Sequence, residues 1–355
     1  MTLYKIIAPS QLVANYVCSK TNCLFRYKLA SRCLSSSSSS QVPLSSSAAL
    51  EAKKQKLFQF KGAMAPVFTP FDSKGEVDVQ QIGGYVKYLV DIGVRGVYIV
   101  GTTGEGYSLT NDERLSLGKA WRQEITAQGV DLLDVVNVSS LCVKESIHLA
   151  QQSEANGSGA IAVLPPSYYK PNSVGELINF MKLIAQAAPN TPLIYYNIPP
   201  RVGKLNLNIN EAIVEGVKQI PQLAAIKYSD DSIISLQLLQ QQLSGQLFKI
   251  FLGFDETILR VLTGLPGYNA AIAPSFNLLG IAQTYNRYLQ FIEQSETESA
   301  SREQQIILEE FLKHKSTGNP ILSMKLALNT SAQRWSFNVG YPRPPISFNY
   351  DFRHL

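Results

Sequence analysis

Residues 223–230 read Leu-Ala-Ala-Ile-Lys-Tyr-Ser-Asp, an apolar run of strand length that ends in a lysine and then turns polar. The run predicts a buried strand, with Lys227 at the point where that strand reaches the surface. An ammonium beside alanine and isoleucine is partly desolvated, which favours the neutral amine that attacks ketones. Lys227 is therefore a candidate Schiff-base lysine. Taken alone, however, the run favours a lysine whose stem packs at the strand end while its charge reaches solvent.

Short apolar runs of this kind alternate with amphipathic stretches of helical length from about residue 61 onward. This alternation predicts right-handed crossovers and a parallel sheet. Eight such units match a closed (β/α)8 barrel, although an open doubly wound sheet has the same local pattern. No Gly-x-Gly-x-x-Gly follows the first predicted strand, which favours the barrel. The predicted strands are 62–67, 96–100, 132–138, 160–164, 193–196, 223–227, 249–252 and 270–273.

Three regions are expected along the chain. Residues 1–55 form a presequence, residues 56–295 the barrel, and residues 296–355 a C-terminal helical appendage packed on the barrel. The predicted helices are 79–91, 112–128, 143–156, 174–187, 209–219, 233–243, 256–263, 301–315 and 321–329.

The first 50 residues carry five basic residues, no acidic residue and a serine-rich run. This composition predicts a mitochondrial transit peptide, with a plastid address or a cytoplasmic protein with a disordered extension as alternatives. The remainder holds 32 − 5 = 27 basic and 27 acidic residues, so it gives no support for a nucleic-acid partner. No apolar run is long enough to span a bilayer, so no membrane partner is expected.

Metal chemistry is also not expected. Three of the four cysteines fall in the presequence, which leaves Cys142 without a disulfide partner or a companion ligand. The three histidines, at positions 148, 314 and 354, lie away from the predicted strand ends. Zinc-dependent catalysis is disfavoured for that reason.

Polar residues follow the predicted strands at the carboxyl end, where barrel enzymes place their active sites. Each has an ordinary structural explanation, such as a tight turn, a packed tyrosine or a carboxylate that begins a helix. Those explanations do not predict that all of them occupy the same end of their strands. The candidates are Thr102 and Thr103 after strand two, Tyr168 after strand four, Tyr196 and Arg201 after strand five, Lys227 and Ser229 after strand six, Gly253, Asp255 and Glu256 after strand seven, and Ala273 and Ser275 after strand eight.

Four runs in this order carry a family resemblance: Gly-Thr-Thr-Gly-Glu at 101–105, Tyr-Asn-Ile-Pro at 196–199, Ile-Lys at 226–227 and Gly-Phe-Asp-Glu at 253–256. Together they resemble the dihydrodipicolinate synthase and N-acetylneuraminate lyase superfamily of class I, lysine-dependent aldolases. The resemblance covers about residues 60–348. Within the superfamily, residues 227–230 and 253–256 are most similar to the animal-type lyases.

The resemblance implies roles for these residues. Lys227 would form the imine with a 2-keto acid, so no cofactor beyond this covalent adduct is expected. Tyr196 would move the proton of the substrate hydroxyl, while Thr102 and Thr103 would hold the carboxylate. Tyr168 matches a tyrosine that enters the site of an adjacent subunit, which implies a homotetramer or at least a tight dimer. The resemblance places Ser229, Gly253, Asp255, Glu256, Ala273 and Ser275 around the substrate tail.

Two departures from the lyase pattern leave undecided which substrate tail the site recognises. Ala273-Pro274-Ser275 stands where lyases have Gly-Ser-Thr, which removes one hydroxyl and one backbone N–H. Arg201 stands where lyases carry small apolar residues, whereas the synthases have an arginine that binds a carboxylate.

The leading hypothesis is therefore a lyase that cleaves a 2-keto-3-deoxy sugar acid to pyruvate and an aldose. The favoured substrate is N-acetylneuraminate. The alternatives are a dihydrodipicolinate synthase, a 4-hydroxy-2-oxoglutarate aldolase and a non-catalytic binding protein of the same fold. Retention of both Lys227 and Tyr196 opposes the last of these.

Overall fold

The structure, a computed structural model, describes residues 46–256 and 268–349. Its described strands are β1 (Gly62–Pro66), β2 (Gly96–Ile99), β3 (Leu133–Asn137), β4 (Ala160–Val163), β5 (Leu193–Asn197), β6 (Leu223–Tyr228), β7 (Lys249–Leu252) and β8 (Ala270–Ile272). They pair in parallel and in chain order, and β1 also pairs with β8, which closes the barrel. The predicted fold and all eight predicted strands are confirmed.

One helix precedes β1, and helices follow most of the strands. The described helices are α1 (Ser46–Gln59), α2 (Ile82–Asp91), α3 (Asn111–Ala127), α4 (Val143–Ala155), α5 (Val174–Ala187), α6 (Pro199–Val202), α7 (Ile209–Gln219), α8 (Ile233–Gln242), α9 (Ile281–Glu293), α10 (Thr297–Lys315) and α11 (Pro320–Ala332). No helix among these is long and apolar enough to cross a membrane.

The buried side chains form two clusters, as expected when strands alternate between inward and outward positions. One cluster lies between the sheet and the surrounding helices. The other fills the barrel interior and includes Met64, Tyr98, Ile194 and Phe251. Lys227 occupies an inward position of β6, beside Tyr196 of β5 in the strand register. An inward position explains why its amine does not reach solvent as a strand-end lysine usually does.

The boundary expected at residue 55 is wrong, because it falls inside α1. Leu50 and Leu57 of this helix are buried, and Lys53 donates a hydrogen bond to Ser158 O at 2.8 Å. Leu57 packs with the cluster inside the barrel. The residues from at least Ser46 onward therefore belong to the folded unit. The rest of the predicted presequence, residues 1–45, lies outside the described residues.

One further predicted helix is not tested by the described residues, and one helix was not predicted. The predicted helix 256–263 falls almost entirely in the segment 257–267, outside the described residues. Helix α9 was not predicted, because its threonine, asparagine and tyrosines are modest helix formers. Its buried Ile281, Tyr285 and Tyr288 nevertheless recur at helical spacing, so tertiary packing stabilises it.

Candidate active site

Lys227 is buried under two aromatic rings. Its Nζ lies 4.3 Å from the ring centroids of both Tyr98 and Tyr196. Burial lowers the pKa of Lys227 to about 7, and the nearby Asp255 carboxylate opposes that shift only in part. The contacts with the rings also favour the ammonium but do not outweigh its desolvation. Near neutral pH a large fraction of Lys227 is therefore the uncharged, nucleophilic amine.

Tyr196 is placed beside this amine by the pairing of β5 with β6. Its hydroxyl lies 3.4 Å from Thr102 Oγ1, and its ring meets Tyr98 edge-on at 5.7 Å. Burial raises the pKa of Tyr196, and the hydroxyls around it offset this only partly. The phenol is consequently protonated at neutral pH. It can donate or relay a proton, but it needs the charge of a bound substrate to act as a base.

The turn after β2 carries Thr102 and Thr103 to the same end of the barrel. It is tight, because a Cβ at Gly104 would lie 2.9 Å from Val67 O and 3.2 Å from Val100 Cα. Glu105 closes it by donating its N–H to Thr102 O at 3.1 Å. Thr hydroxyls and free backbone N–H groups in such a turn suit a carboxylate.

Acidic residues stand at the end of β7. Asp255 is buried and accepts a hydrogen bond from Ser275 Oγ. Burial raises the pKa of Asp255 to about 7, although the Ser275 hydrogen bond works against that rise. Its Oδ2 meets no hydrogen-bond partner within the described part of the chain. Near neutral pH, a carboxyl group with this pKa and one oxygen without a partner can both donate and accept hydrogen bonds with a hydroxylated ligand.

Gly253 allows the ends of β6 and β7 to approach each other. A Cβ at this position would collide with Ser229 Oγ and lie 3.0 Å from Tyr228 O. The glycine thus acts through close packing rather than through a polar group, and it keeps Ser229 directly behind the site.

A cavity of about 380 Å³ opens between these groups. It runs from the buried amine of Lys227 to the ion pair between Glu256 and Lys315. Eight of the predicted site residues line it: Thr102, Thr103, Tyr196, Arg201, Lys227, Gly253, Asp255 and Glu256.

The other predicted site residues lie outside the lining. Ser229 and Ser275 are buried behind it, and Ser275 acts through its bond to Asp255. Ala273 is also fully buried, and the following Pro274 faces the cavity instead, because the chain turns into a short 3-10 helix there. Tyr168 is 78% exposed and stacks edge-on with its neighbour Tyr169 at 5.0 Å.

Several lining residues were not predicted, because they come from the C-terminal extension. Helix α10 contributes Phe311 and Lys315, and helix α11 contributes Met324. Tyr98, which contacts Lys227 Nζ but does not line the cavity, was also missed, although its inward position on β2 could have been inferred from the period of two along the strand. Among the described residues, no group of three or more His, Cys, Asp or Glu side chains is arranged to hold a metal ion.

Comparisons with known proteins agree with this geometry. The model of the dihydrodipicolinate synthetase family matches residues 59–349. N-acetylneuraminate lyase of Sus scrofa is 34% identical over 260 residues, which cover 72% of this chain and 77% of the relative.

Solved structures show the same similarity. N-acetylneuraminate lyase (sialic acid aldolase) of Aliivibrio salmonicida superposes with a TM-score of 0.73 and 25% identity, covering 81% of this chain and 91% of that one. A catalytic lysine mutant of the Ruminococcus gnavus sialic acid aldolase gives a TM-score of 0.72 and 25% identity, covering 81% and 89%. With its closed barrel and its match over nearly all of the described residues, the chain belongs to the dihydrodipicolinate synthetase family.

Proposed function

We propose that the protein is a class I aldolase that cleaves N-acetylneuraminate to pyruvate and N-acetylmannosamine. The observation that carries the proposal is the buried amine of Lys227, whose lowered pKa leaves it nucleophilic beside Tyr196 and the Thr102–Thr103 turn. The similarity to N-acetylneuraminate lyases supports the same reaction class and substrate.

The chemistry follows from these positions. The neutral amine of Lys227 adds to the C2 ketone of the open-chain substrate, and the resulting carbinolamine takes up one proton from solvent and loses water to give a protonated imine. The imine nitrogen accepts the electron pair of the C3–C4 bond as that bond breaks. Tyr196 relays the proton that leaves the C4 hydroxyl, so that an aldehyde is released. The remaining enamine takes up a proton at C3, and water then hydrolyses the imine to free pyruvate and Lys227.

The two ends of the cavity divide substrate recognition. The hydroxyls and N–H groups of Thr102 and Thr103 would bind the C1 carboxylate, next to Lys227. Asp255 and Glu256 would bind the hydroxylated tail at the other end. Because the tail is a polyol, the half-protonated Asp255 suits it, since this group can both donate and accept hydrogen bonds.

Borohydride reduction in the presence of pyruvate tests the imine. We expect a stable adduct whose mass shift maps to Lys227 and which is absent in Lys227→Ala. Trapping that persists in the variant, or that never occurs in the wild-type protein, would contradict the mechanism.

A product assay tests the substrate. Release of N-acetylmannosamine from N-acetylneuraminate is the expected result. Arg201 at the rim of the cavity is the feature that suits an acidic aldehyde instead. Pyruvate consumption that depends on aspartate semialdehyde, or cleavage of 4-hydroxy-2-oxoglutarate alone, would overturn the sialic acid assignment while leaving the imine chemistry intact.

We propose further that the active form is an oligomer in which Tyr168 of one subunit enters the site of the next. Its exposure in the single chain supports this, because a large aromatic side chain at the surface is a common interface residue. Tyr169 beside it is 86% exposed, which extends the same patch.

A further inference from the structure

A fully buried ion pair joins the C-terminal extension to the turn after β2. Lys325 Nζ of α11 lies 2.8 Å from Glu105 Oε1, and neither side chain is exposed. The same ammonium donates hydrogen bonds to Thr69 O at 2.9 Å and to Tyr341 O at 3.2 Å. An ammonium has three N–H donors, and three oxygens meet it here. The pair is thus a specific connection rather than a surface contact.

The chain beyond α11 makes a second connection to the same carboxylate. The backbone N–H of Arg343 donates to Glu105 Oε2 at 2.8 Å. The guanidinium of Arg343 binds the Glu113 carboxylate with both terminal nitrogens, including Nη1 to Oε2 at 3.0 Å, and also donates to Gly75 O at 2.7 Å. Glu113 belongs to the capping box that begins α3. Arg343 therefore connects the C-terminal segment beyond α11 to α3, the helix that follows the turn.

The turn itself is strained and needs such support. Val100 and Glu105, which flank it, have positive φ angles of 50° and 56°. These values are costly for residues with a side chain, especially a β-branched one, and persist only where the surroundings enforce them.

Lys325 reaches the turn by two routes. One is the ion pair with Glu105, whose N–H holds Thr102 O. The other passes through Thr69, which accepts from Lys325 and donates its hydroxyl to Gly104 O at 2.6 Å. Both routes end on the backbone that carries Thr102 and Thr103.

We propose that Lys325, Glu105 and Arg343 are positioning residues, through which the C-terminal extension holds the Thr102–Thr103 turn in the geometry that binds the keto-acid carboxylate. This inference rests on the proposed function of that turn. None of the three residues touches the reacting atoms, so their effect is on substrate binding more than on the chemical step.

Three variants test the inference. Lys325→Met removes the ammonium. The double variant Glu105→Gln/Lys325→Met removes both charges, so that no buried carboxylate is left without a partner. Arg343→Gln removes the bonds to Glu113 but keeps the backbone N–H to Glu105. The matched control is Asp134→Asn. It removes another buried carboxylate in an ion pair, with Arg122 at 3.1 Å, near the start of β3 and away from the turn.

Two measurements are needed for each folded variant. Hydrogen exchange followed by mass spectrometry reports the protection of the amides in residues 101–106. Borohydride trapping over a range of pyruvate concentrations gives the half-saturating concentration and the limiting rate separately. We expect about tenfold faster exchange in the turn and about a tenfold higher half-saturating pyruvate concentration, with a smaller change in the limiting rate.

The control should lose thermal stability and yet keep wild-type values for both measurements. Wild-type exchange in the turn of the folded variants, or faster exchange without any change in pyruvate dependence, would overturn the inference. If the wild-type protein is not trapped at all while exchange in the variants still rises, the Schiff-base function fails, whereas the anchoring of the turn stands.

Discussion

At the scale of the residue, the structure explains why the pKa of one lysine among many falls to about 7, as the proposed imine chemistry needs. Lys227 occupies an inward strand position, so burial and not a neighbouring cation lowers its pKa to about 7. Lys325 is buried as deeply, but it faces Glu105 and two carbonyl oxygens. The oxygens around each amine therefore suit Lys227 to the proposed imine chemistry and Lys325 to the proposed anchoring of the turn.

This difference predicts the pH dependence of imine formation. Because only the unprotonated amine attacks pyruvate, the initial trapping rate should rise through about pH 7 and level off above that range. Asp255 raises the pKa of Lys227, so Asp255→Asn should shift the midpoint to lower pH, by less than about one unit. Trapping rates measured at constant ionic strength from acid to alkaline pH check this.

Asp231→Asn is the control for that experiment, since this residue lies in the loop after β6 and carries an exposed carboxylate. Its profile should match the wild-type profile. An unchanged midpoint in Asp255→Asn, or a shift to higher pH, would show that Asp255 does not act on the amine.

At the scale of the element, the helices after the barrel complete the site. Helix α10 brings Lys315 to the far end of the cavity, where it pairs with Glu256. Helix α11 adds Met324 to the lining and Lys325 to the buried pair. The extension was predicted to pack on the barrel, but its contribution to the cavity was not predicted.

Lys315→Met should therefore change tail recognition without changing imine formation. The variant leaves Glu256 without its cation, so the orientation of this carboxylate toward the substrate tail is lost. We expect the KM for N-acetylneuraminate to rise several-fold, while pyruvate trapping stays at the wild-type level because pyruvate has no tail.

The control, Lys313→Met, removes a lysine of the same helix that pairs with Glu310 at 3.3 Å. It should leave both measurements unchanged. An equal loss in pyruvate trapping for Lys315→Met would mean that the lysine acts on the fold of the site and not on the tail.

At the scale of the whole molecule, the cavity of the single chain brings together the Lys227 amine, the Tyr196 phenol and the Thr102–Thr103 turn, but it does not include Tyr168. Tyr168 remains at the surface, near an open cleft of about 630 Å³ whose lining includes Ser167 and Tyr107. Such an arrangement suits a site that is completed by a second copy of the chain.

A subunit-mixing experiment tests this completion. Lys227→Ala and Tyr168→Ala should each be nearly inactive alone. In mixed dimers, the Lys227→Ala subunit still offers Tyr168 to the partner that retains its lysine. Co-refolding the two variants in equal amounts should restore about a quarter of the wild-type activity if subunits pair at random. No recovery, despite mixed oligomers seen by native mass spectrometry, would place Tyr168 outside the catalytic site of its partner.

Much of the site was predictable because it depends on local pattern and on strand direction. The alternation of apolar runs with helical stretches predicts the barrel, and parallel strands bring their carboxyl ends to one face. Eight of the predicted residues therefore line one cavity. The placement of Ala273 and Tyr168 was harder to predict, because a short turn and an open surface decide where these side chains point.

Lys325 shows that the sequence pattern around a lysine does not decide what surrounds its amine in the folded protein. It stands in an apolar helical stretch, just as Lys227 stands in an apolar strand, so the local pattern by itself does not distinguish the two lysines. By itself the sequence determined the barrel, the family and the reactive groups at the strand ends, since these follow from periodicity and short motifs. Only the tertiary structure decided that Lys227 faces an open cavity while Lys325 meets Glu105, because the solvation and charge partners of a buried amine come from segments far apart in the chain.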